Sequence, residues 1–218
     1  MRKGQNTPAA ASPRATKPSK RDAADAMRSA TEYLIATRQA ERSLQAGNSA
    51  PSFRLRDQRG AEVASEILLR HGPLLLTFYT GLWCPACCRD LQAFESLRPS
   101  VEARGASLVS ISQQMAAENA KAYAQLKLGF PILSDRGGRI AHLFGVRWCI
   151  PELLRDFHRK SGIDLPLLNG DESWTLPISA RFILDRAGVI AYSEINPGQS
   201  VRSPPRDVLP VLDRLRAA

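Results

Sequence analysis

The chain has 218 residues, 44% of them apolar and 23% charged, and a formal net charge of +9. Its length and apolar share suit a soluble globular domain with appendages. Four cysteines are too few for a disulfide scaffold, and no apolar run reaches the roughly 18 residues of a membrane-spanning helix.

The charge does not point to nucleic acid. The first 50 residues hold nine Lys/Arg against four Asp/Glu, and the other 168 hold 21 against 17. The excess therefore sits in the N-terminal part, and no aromatic-rich basic stripe accompanies it. Residues 1–21 are rich in Pro, Ala, Ser and Lys and read as a disordered basic tail. This tail has no apolar h-region, so a secretory signal is not expected. Its Arg-, Ala- and Ser-rich character leaves a mitochondrial transit peptide as the alternative to a cytoplasmic protein. Residues 22–46 read as an N-terminal helix, with Met27, Ala30, Leu34 and Leu44 near helical spacing and Gly47 ending it.

Residues 47–218 read as one domain. Phe53 and Leu55 alternate with polar residues as a short strand, and Asp57 to Gly60 form a turn. A short helix over Val63 to Arg70 follows. Leu74 to Tyr79 is a continuous apolar run, the pattern of a buried central strand. A long helix runs from Pro85 to Arg104, with Leu91, Phe94, Leu97 and Val101 on one face. Then come a strand (Ala106 to Ser112), a helix (Met115 to Leu128), an extended stretch (Phe130 to Asp135) and a helix (Arg139 to Phe144). Residues 146–178 read as an insertion, with a helix from Glu152 to about Lys160 and a loop rich in Pro, Asn, Gly and Asp. A hairpin of Ala180 to Leu184 and Val189 to Ser193, then a helix from Asp207 to Leu215, close the chain. This order predicts an α/β three-layer sandwich with a mixed central sheet and a C-terminal β-hairpin plus helix.

The chemistry concentrates in Trp83-Cys84-Pro85-Ala86-Cys87, at the end of the central strand and the start of the long helix. Unpaired N–H groups and the positive end of the helix dipole favour a thiolate there. Ligands of open α/β sheets also bind at this edge. Cys84 and Cys87 therefore read as a redox-active pair in a reducing compartment. Cys88 points to another helix face and reads as a core residue. Cys149 reads as a packing residue, with a distant resolving thiol as the alternative. Zinc is not expected, since neither a second CxxC nor an HxxxH accompanies the pair. His71, His142 and His158 are scattered, and no histidine base is expected.

Several blocks in order resemble the alkyl hydroperoxide reductase / thiol-specific antioxidant family, in its peroxiredoxin-like branch on a thioredoxin fold. They are Gly47-x-x-Ala50-Pro51-x-Phe53-x-Leu55, Phe78-Tyr79 to Cys87, Ile111-Ser112, and Phe130-Pro131-Ile132-Leu133-Ser134-Asp135. Phe144-Gly145-Val146, Asn169-Gly170-Asp171, Trp174 to Pro177 and Phe182 to Asp185 with Gly188 continue the series. The resemblance runs from about Gly47 to Leu215.

The resemblance implies peroxide reduction or thiol–disulfide exchange. Counted from Phe78, Cys87 takes the place of the attacking cysteine of peroxiredoxins and Cys84 the place of their threonine. In thioredoxins the first cysteine of the pair attacks, which is Cys84 here. Peroxiredoxins carry, near Ser179, an arginine that helps hold peroxide and thiolate, and thioredoxins carry a cis-proline. This chain has neither, and Arg181, two residues on along the strand, is the expected substitute. Thr80 stands where relatives of this branch often carry arginine. Tyr79, Thr80, Trp83, Pro85 and Arg181 are the candidate pocket residues, with Trp83 shielding the thiolate.

The expected reaction is attack of Cys87 on a hydroperoxide, giving a sulfenic acid that condenses with Cys84. Thioredoxin or glutathione then reduces the disulfide. No metal, flavin or nucleotide cofactor is expected, and pairing with a second copy is left open. The alternative activity is a thioredoxin-like disulfide reductase led by Cys84. A silent binding module on the same fold is a third reading.

Overall fold

A computed structural model of the chain describes residues 18–198 and 202–217, so most of the expected 1–21 tail lies outside the described residues. The first helix, α1 (Lys20–Ala36), opens on a reciprocal cap between Ser19 and Asp22. The helix expected over residues 22–46 stops earlier, at Ala36. Arg38 turns left-handed at φ 52°, and only a 3-10 turn, Gln39–Arg42, follows. Leu44 is out of phase with Met27, Ala30 and Leu34, and its N–H bonds the Phe144 carbonyl instead.

Strands β1 (Arg54–Asp57) and β2 (Glu62–Ala64) form a hairpin closed by Asp57, which accepts from the N–H groups of Arg59 and Ala61. Val63, expected in a helix, pairs across to Leu55. Helix α2 (Ser65–His71) begins only after it. Next come β3 (Leu74–Phe78), α3 (Pro85–Glu102), β4 (Ser107–Ser112), α4 (Ala116–Gln125), β5 (Ile132–Ser134) and α5 (Arg139–Leu143).

The 146–178 stretch holds more structure than a helix and a loop. Strand β6 (Arg147–Cys149) pairs antiparallel with β7 (Thr175–Pro177) and encloses α6 (Glu152–Lys160) and α7 (Leu165–Asn169). Two three-residue strands this far apart leave no alternation for the sequence to show. Strands β8 (Ser179–Leu184) and β9 (Ile190–Asn196), then α8 (Leu209–Ala217), complete the fold.

The main sheet has the order β2-β1-β5-β4-β3-β8-β9. Strands β5, β4 and β3 are parallel, and the flanking strands are antiparallel. Every residue of β3 is buried, because successive side chains point to opposite faces and both faces are covered. Leu74, Leu76 and Phe78 join Phe144 and Phe182 on one side. Leu75 joins Leu91, Phe94 and Leu212 under α3 and α8 on the other. The three phenyl rings of the first side have centroids 5.0 to 6.0 Å apart. Burying each such side chain contributes roughly 1.5–3 kcal/mol.

A smaller apolar cluster gathers Ile150, Leu154, Leu165 and Leu176 from the 146–178 stretch, with Ala26 and Ala30 of α1 and Trp83 packed against it. It brings α1 and α6 over the end of β3. Among the described residues no helix is long and apolar enough to cross a membrane.

Candidate active site

The chain leaves β3 at Phe78 and re-enters regular structure at Pro85, the first residue of α3. Proline suits that place because its missing N–H would be unpaired there. Cys84 is the N-cap of α3, and its Sγ accepts from the Cys87 N–H at 3.3 Å. Gly81 makes the turn possible: a Cβ there would lie 2.4 Å from the Trp83 Nε1. Both sulfurs are buried, Cys84 at 3% and Cys87 at 0% exposure, and neither is in a disulfide.

Cys87 Sγ lies among donors. Thr80 Oγ1 is 3.2 Å away, Arg202 Nη2 3.5 Å and Ser179 Oγ 3.9 Å. Arg202 Nη2 also donates to Ser179 Oγ at 2.8 Å, which ties the three groups together. A hydrogen bond from the Cys84 side chain and the Arg202 charge hold the Cys87 thiol well below its ordinary value, against the opposing effect of burial. Cys84 moves the other way: its hydrogen bond with Cys87 and its burial push its thiol up. The donors gathered at Cys87 Sγ favour its ionised form over that of Cys84.

Arg202 is the residue that the sequence reading missed. It follows β9, and the pairing of Ser179 with Asn196 returns the chain after β9 to the start of β8, beside the cysteines. Arg181, the expected substitute, is not at the sulfur. Its guanidinium is drawn away to Asp90 (2.5 Å), Glu194 (3.1 Å) and the Ser203 carbonyl (2.6 Å), with Phe94 stacked at 4.9 Å. Glu194 also accepts from the Ser203 N–H at 2.9 Å. Asp90, one turn beyond Cys87 on α3, holds Arg202 Nη1 at 3.2 Å with its second oxygen. Arg181 thus clamps the segment that carries Arg202.

The other expected pocket residues separate. Thr80, Trp83 and Pro85 line a pocket of about 300 Å³ that reaches Cys84 and Ser179. Tyr79 is not among its lining residues: it is buried against the α3 side, and its hydroxyl donates to Asn119 Oδ1 at 2.8 Å. The side-chain alternation that puts Phe78 on one face puts Tyr79 on the other. His158, expected to lie apart from the motif, packs edge-on against Trp83 at 5.3 Å and lines the same pocket. Burial pushes its pKa down, and its Nδ1 bonds the Leu154 carbonyl, so it is a neutral wall residue. Cys88, expected in the core, is half-buried and donates to the Leu82 carbonyl at 3.1 Å, and burial pushes its thiol up. Cys149 is exposed, with Arg155 Nη2 at 3.5 Å from its sulfur.

Comparisons with known proteins bear on the family and the fold. A Mycobacterium tuberculosis protein whose name places it among the peroxiredoxins is 32% identical over 104 residues, 48% of this chain and 68% of its own length. The chloroplastic peroxiredoxin Q of Oryza sativa subsp. japonica is 28% identical over 146 residues, 67% of this chain and 57% of its own. Among solved structures, the peroxidoxin BcpB of Mycobacterium tuberculosis superposes with a TM-score of 0.63 at 23% identity, over 80% of this chain and 97% of that one. A yeast mitochondrial 1-Cys peroxiredoxin, resolved via glutathione/thioredoxin systems, superposes with a TM-score of 0.62 at 19% identity, over 80% and 77%. The two superpositions give the same thioredoxin-like fold. The family model for AhpC/TSA matches residues 46–193, two thirds of the chain with both cysteines inside, and the chain therefore belongs to the AhpC/TSA family of peroxiredoxin-like thiol oxidoreductases.

Proposed function

We propose that Cys87 is the attacking thiolate of a thiol-dependent peroxidase and Cys84 its resolving thiol. The observation that carries this reading is the unequal surroundings of the pair: Thr80, Ser179 and Arg202 gather at Cys87 Sγ, while its bond with Cys87 and its burial push the Cys84 thiol up.

A hydroperoxide enters through the pocket at Thr80, Cys84 and Ser179. The Cys87 thiolate attacks the terminal oxygen, the S–O bond forms and the O–O bond breaks. Sulfur is oxidised by two electrons to a sulfenic acid, and the alkoxide or hydroxide leaves and takes a proton from solvent. Arg202 and the two hydroxyls stabilise the thiolate, and the same donors suit the charge that builds on the leaving oxygen. Cys84 then attacks the sulfenic sulfur, expelling water and closing a disulfide. A thioredoxin-type dithiol, or two glutathione thiols in succession, then reduces it through a mixed disulfide, restoring both thiols and leaving the reductant as its own disulfide. Such a cycle fits a reducing, cytoplasmic setting. It uses the domain of residues 47–218, with the helical segment before it as one wall of the pocket.

The disulfide-reductase alternative needs Cys84 as the thiolate, and the geometry favours the opposite protonation. The test is turnover of purified protein with hydrogen peroxide and with insulin under the same dithiol. Peroxide consumption that Cys87→Ser abolishes supports the proposal. Insulin reduction that persists in Cys87→Ala, with no peroxide consumption in the parent, overturns it.

A further inference from the structure

The pocket beside the cysteines is far larger than two oxygen atoms require. At about 300 Å³, and roughly 30 Å³ per liquid-packed small group, it holds about ten non-hydrogen atoms. Its walls are mostly apolar. Trp83, Trp148, Leu176 and Ile178 come from the body, and α6 adds Leu154 and Phe157. Another wall is α1, through Ala23, Ala26, Met27, Ala30, Thr31 and Leu34. Three of those six residues are alanines, and longer side chains at Ala26 or Ala30 would project into the space. At the inner end the lining turns polar, with Thr80, Cys84 and Ser179; Thr80 and Ser179 both contact Cys87 Sγ.

Protein interiors are close-packed, and an apolar void gives up contacts. The pocket ends at Thr80, Cys84 and Ser179, the first and last of which contact Cys87 Sγ, and one of its walls lies outside the family match at 46–193. We infer that α1 is a specificity element that sets the size of the organic group accepted beside Cys87. The occupant is the hydrocarbon part of an uncharged organic hydroperoxide of about ten non-hydrogen atoms, such as an aryl-alkyl hydroperoxide. This rests on Cys87 being the attacking sulfur. The hydroperoxy group reaches Thr80 and Ser179, the latter bonded to Arg202, and the hydrocarbon fills the space between Trp83, α6 and α1. One methylene in an apolar pocket discriminates by about 10- to 200-fold, so a phenyl ring placed at Ala30 competes directly with the substrate's own.

The experiment uses the full chain. It compares kcat/KM for cumene hydroperoxide with kcat/KM for hydrogen peroxide in the parent and in Ala30→Phe. Binding of the unreactive alcohol 2-phenyl-2-propanol, read through tryptophan fluorescence, runs alongside. The expected result is at least a tenfold fall in the cumene-to-hydrogen-peroxide ratio and a matching loss of alcohol binding. If Ala30→Phe does not fold, Ala30→Leu carries the same comparison. An unchanged ratio, or an equal fall for both peroxides, overturns the inference. A parent that consumes no peroxide sinks the peroxidase reading instead. The alcohol then still decides the pocket: saturable binding weakened by the α1 variant supports it, and no binding overturns it.

Discussion

Arg202 lies 3.5 Å from the sulfur of Cys87, although 115 residues separate them in the chain. The same guanidinium donates to Ser179 Oγ and is held by Asp90. The charge that stabilises the thiolate is therefore delivered by the segment after the last strand and aimed by a carboxylate one helical turn from the thiolate itself.

Removing that charge raises the Cys87 pKa, because the cation favours the ionised form. In Arg202→Gln the absorbance titration of the thiolate near 240 nm moves to higher pH. The peroxidase rate at neutral pH falls roughly 10- to 100-fold, the value of one hydrogen bond to a charged group. The sign is fixed by the folded state: Cys87 titrates below its ordinary value of 9.0, so the parent keeps its rate as pH falls below that value and the variant loses it first. A titration that does not move contradicts this role.

Arg181 acts through Arg202 and on stability. Its side chain is only 2% exposed and ion-paired to Asp90 and Glu194. Arg181→Ala leaves Glu194 without that partner and frees the Ser203 carbonyl. The expected loss is about 3 kcal/mol, toward the low end for breaking a buried pair, because Asp90 keeps Arg202. Denaturant midpoints measure it. Arg181→Lys keeps the charge but loses the forked contact, and should restore part of the stability while leaving a smaller alkaline shift in the thiolate titration. Full stability in the alanine variant would show that the clamp carries nothing.

Cys84, at the N-cap, and Cys87, in the first turn of α3, are close enough to bridge. Mass mapping after one equivalent of hydrogen peroxide should find a Cys84–Cys87 bond, with Cys149 still alkylatable. A bond to Cys149 would move the resolving role to β6.

The parts that were legible in the sequence are those with local causes. The apolar run of β3, the face of Leu91 and Phe94 on α3 and the cysteine spacing each follow from residues a few places apart. Arg202 does not. Its place depends on the antiparallel return of β9 beside Ser179, which brings a loop to the cysteines from the far end of the chain. A basic residue just after the last strand, before Pro204-Pro205, was the available signal. The strand face of Arg181 says nothing about Asp90 and Glu194, which draw its guanidinium away. Strands β6 and β7, of three residues each, are too short to show alternation, and Leu44 leaves the helical phase of Met27, Ala30 and Leu34.

The most direct measurement is trapping of sulfenic acid with a dimedone-type probe in the two single-cysteine variants of the pair. Without the resolving thiol, the Cys84→Ser protein should consume one equivalent of peroxide and carry the adduct on Cys87. The Cys87→Ser protein should consume none and carry no adduct on Cys84, because Arg202 Nη2 and Ser179 Oγ are gathered at position 87. An adduct on Cys84 in the Cys87→Ser protein, with none on Cys87 in the Cys84→Ser protein, would contradict the account.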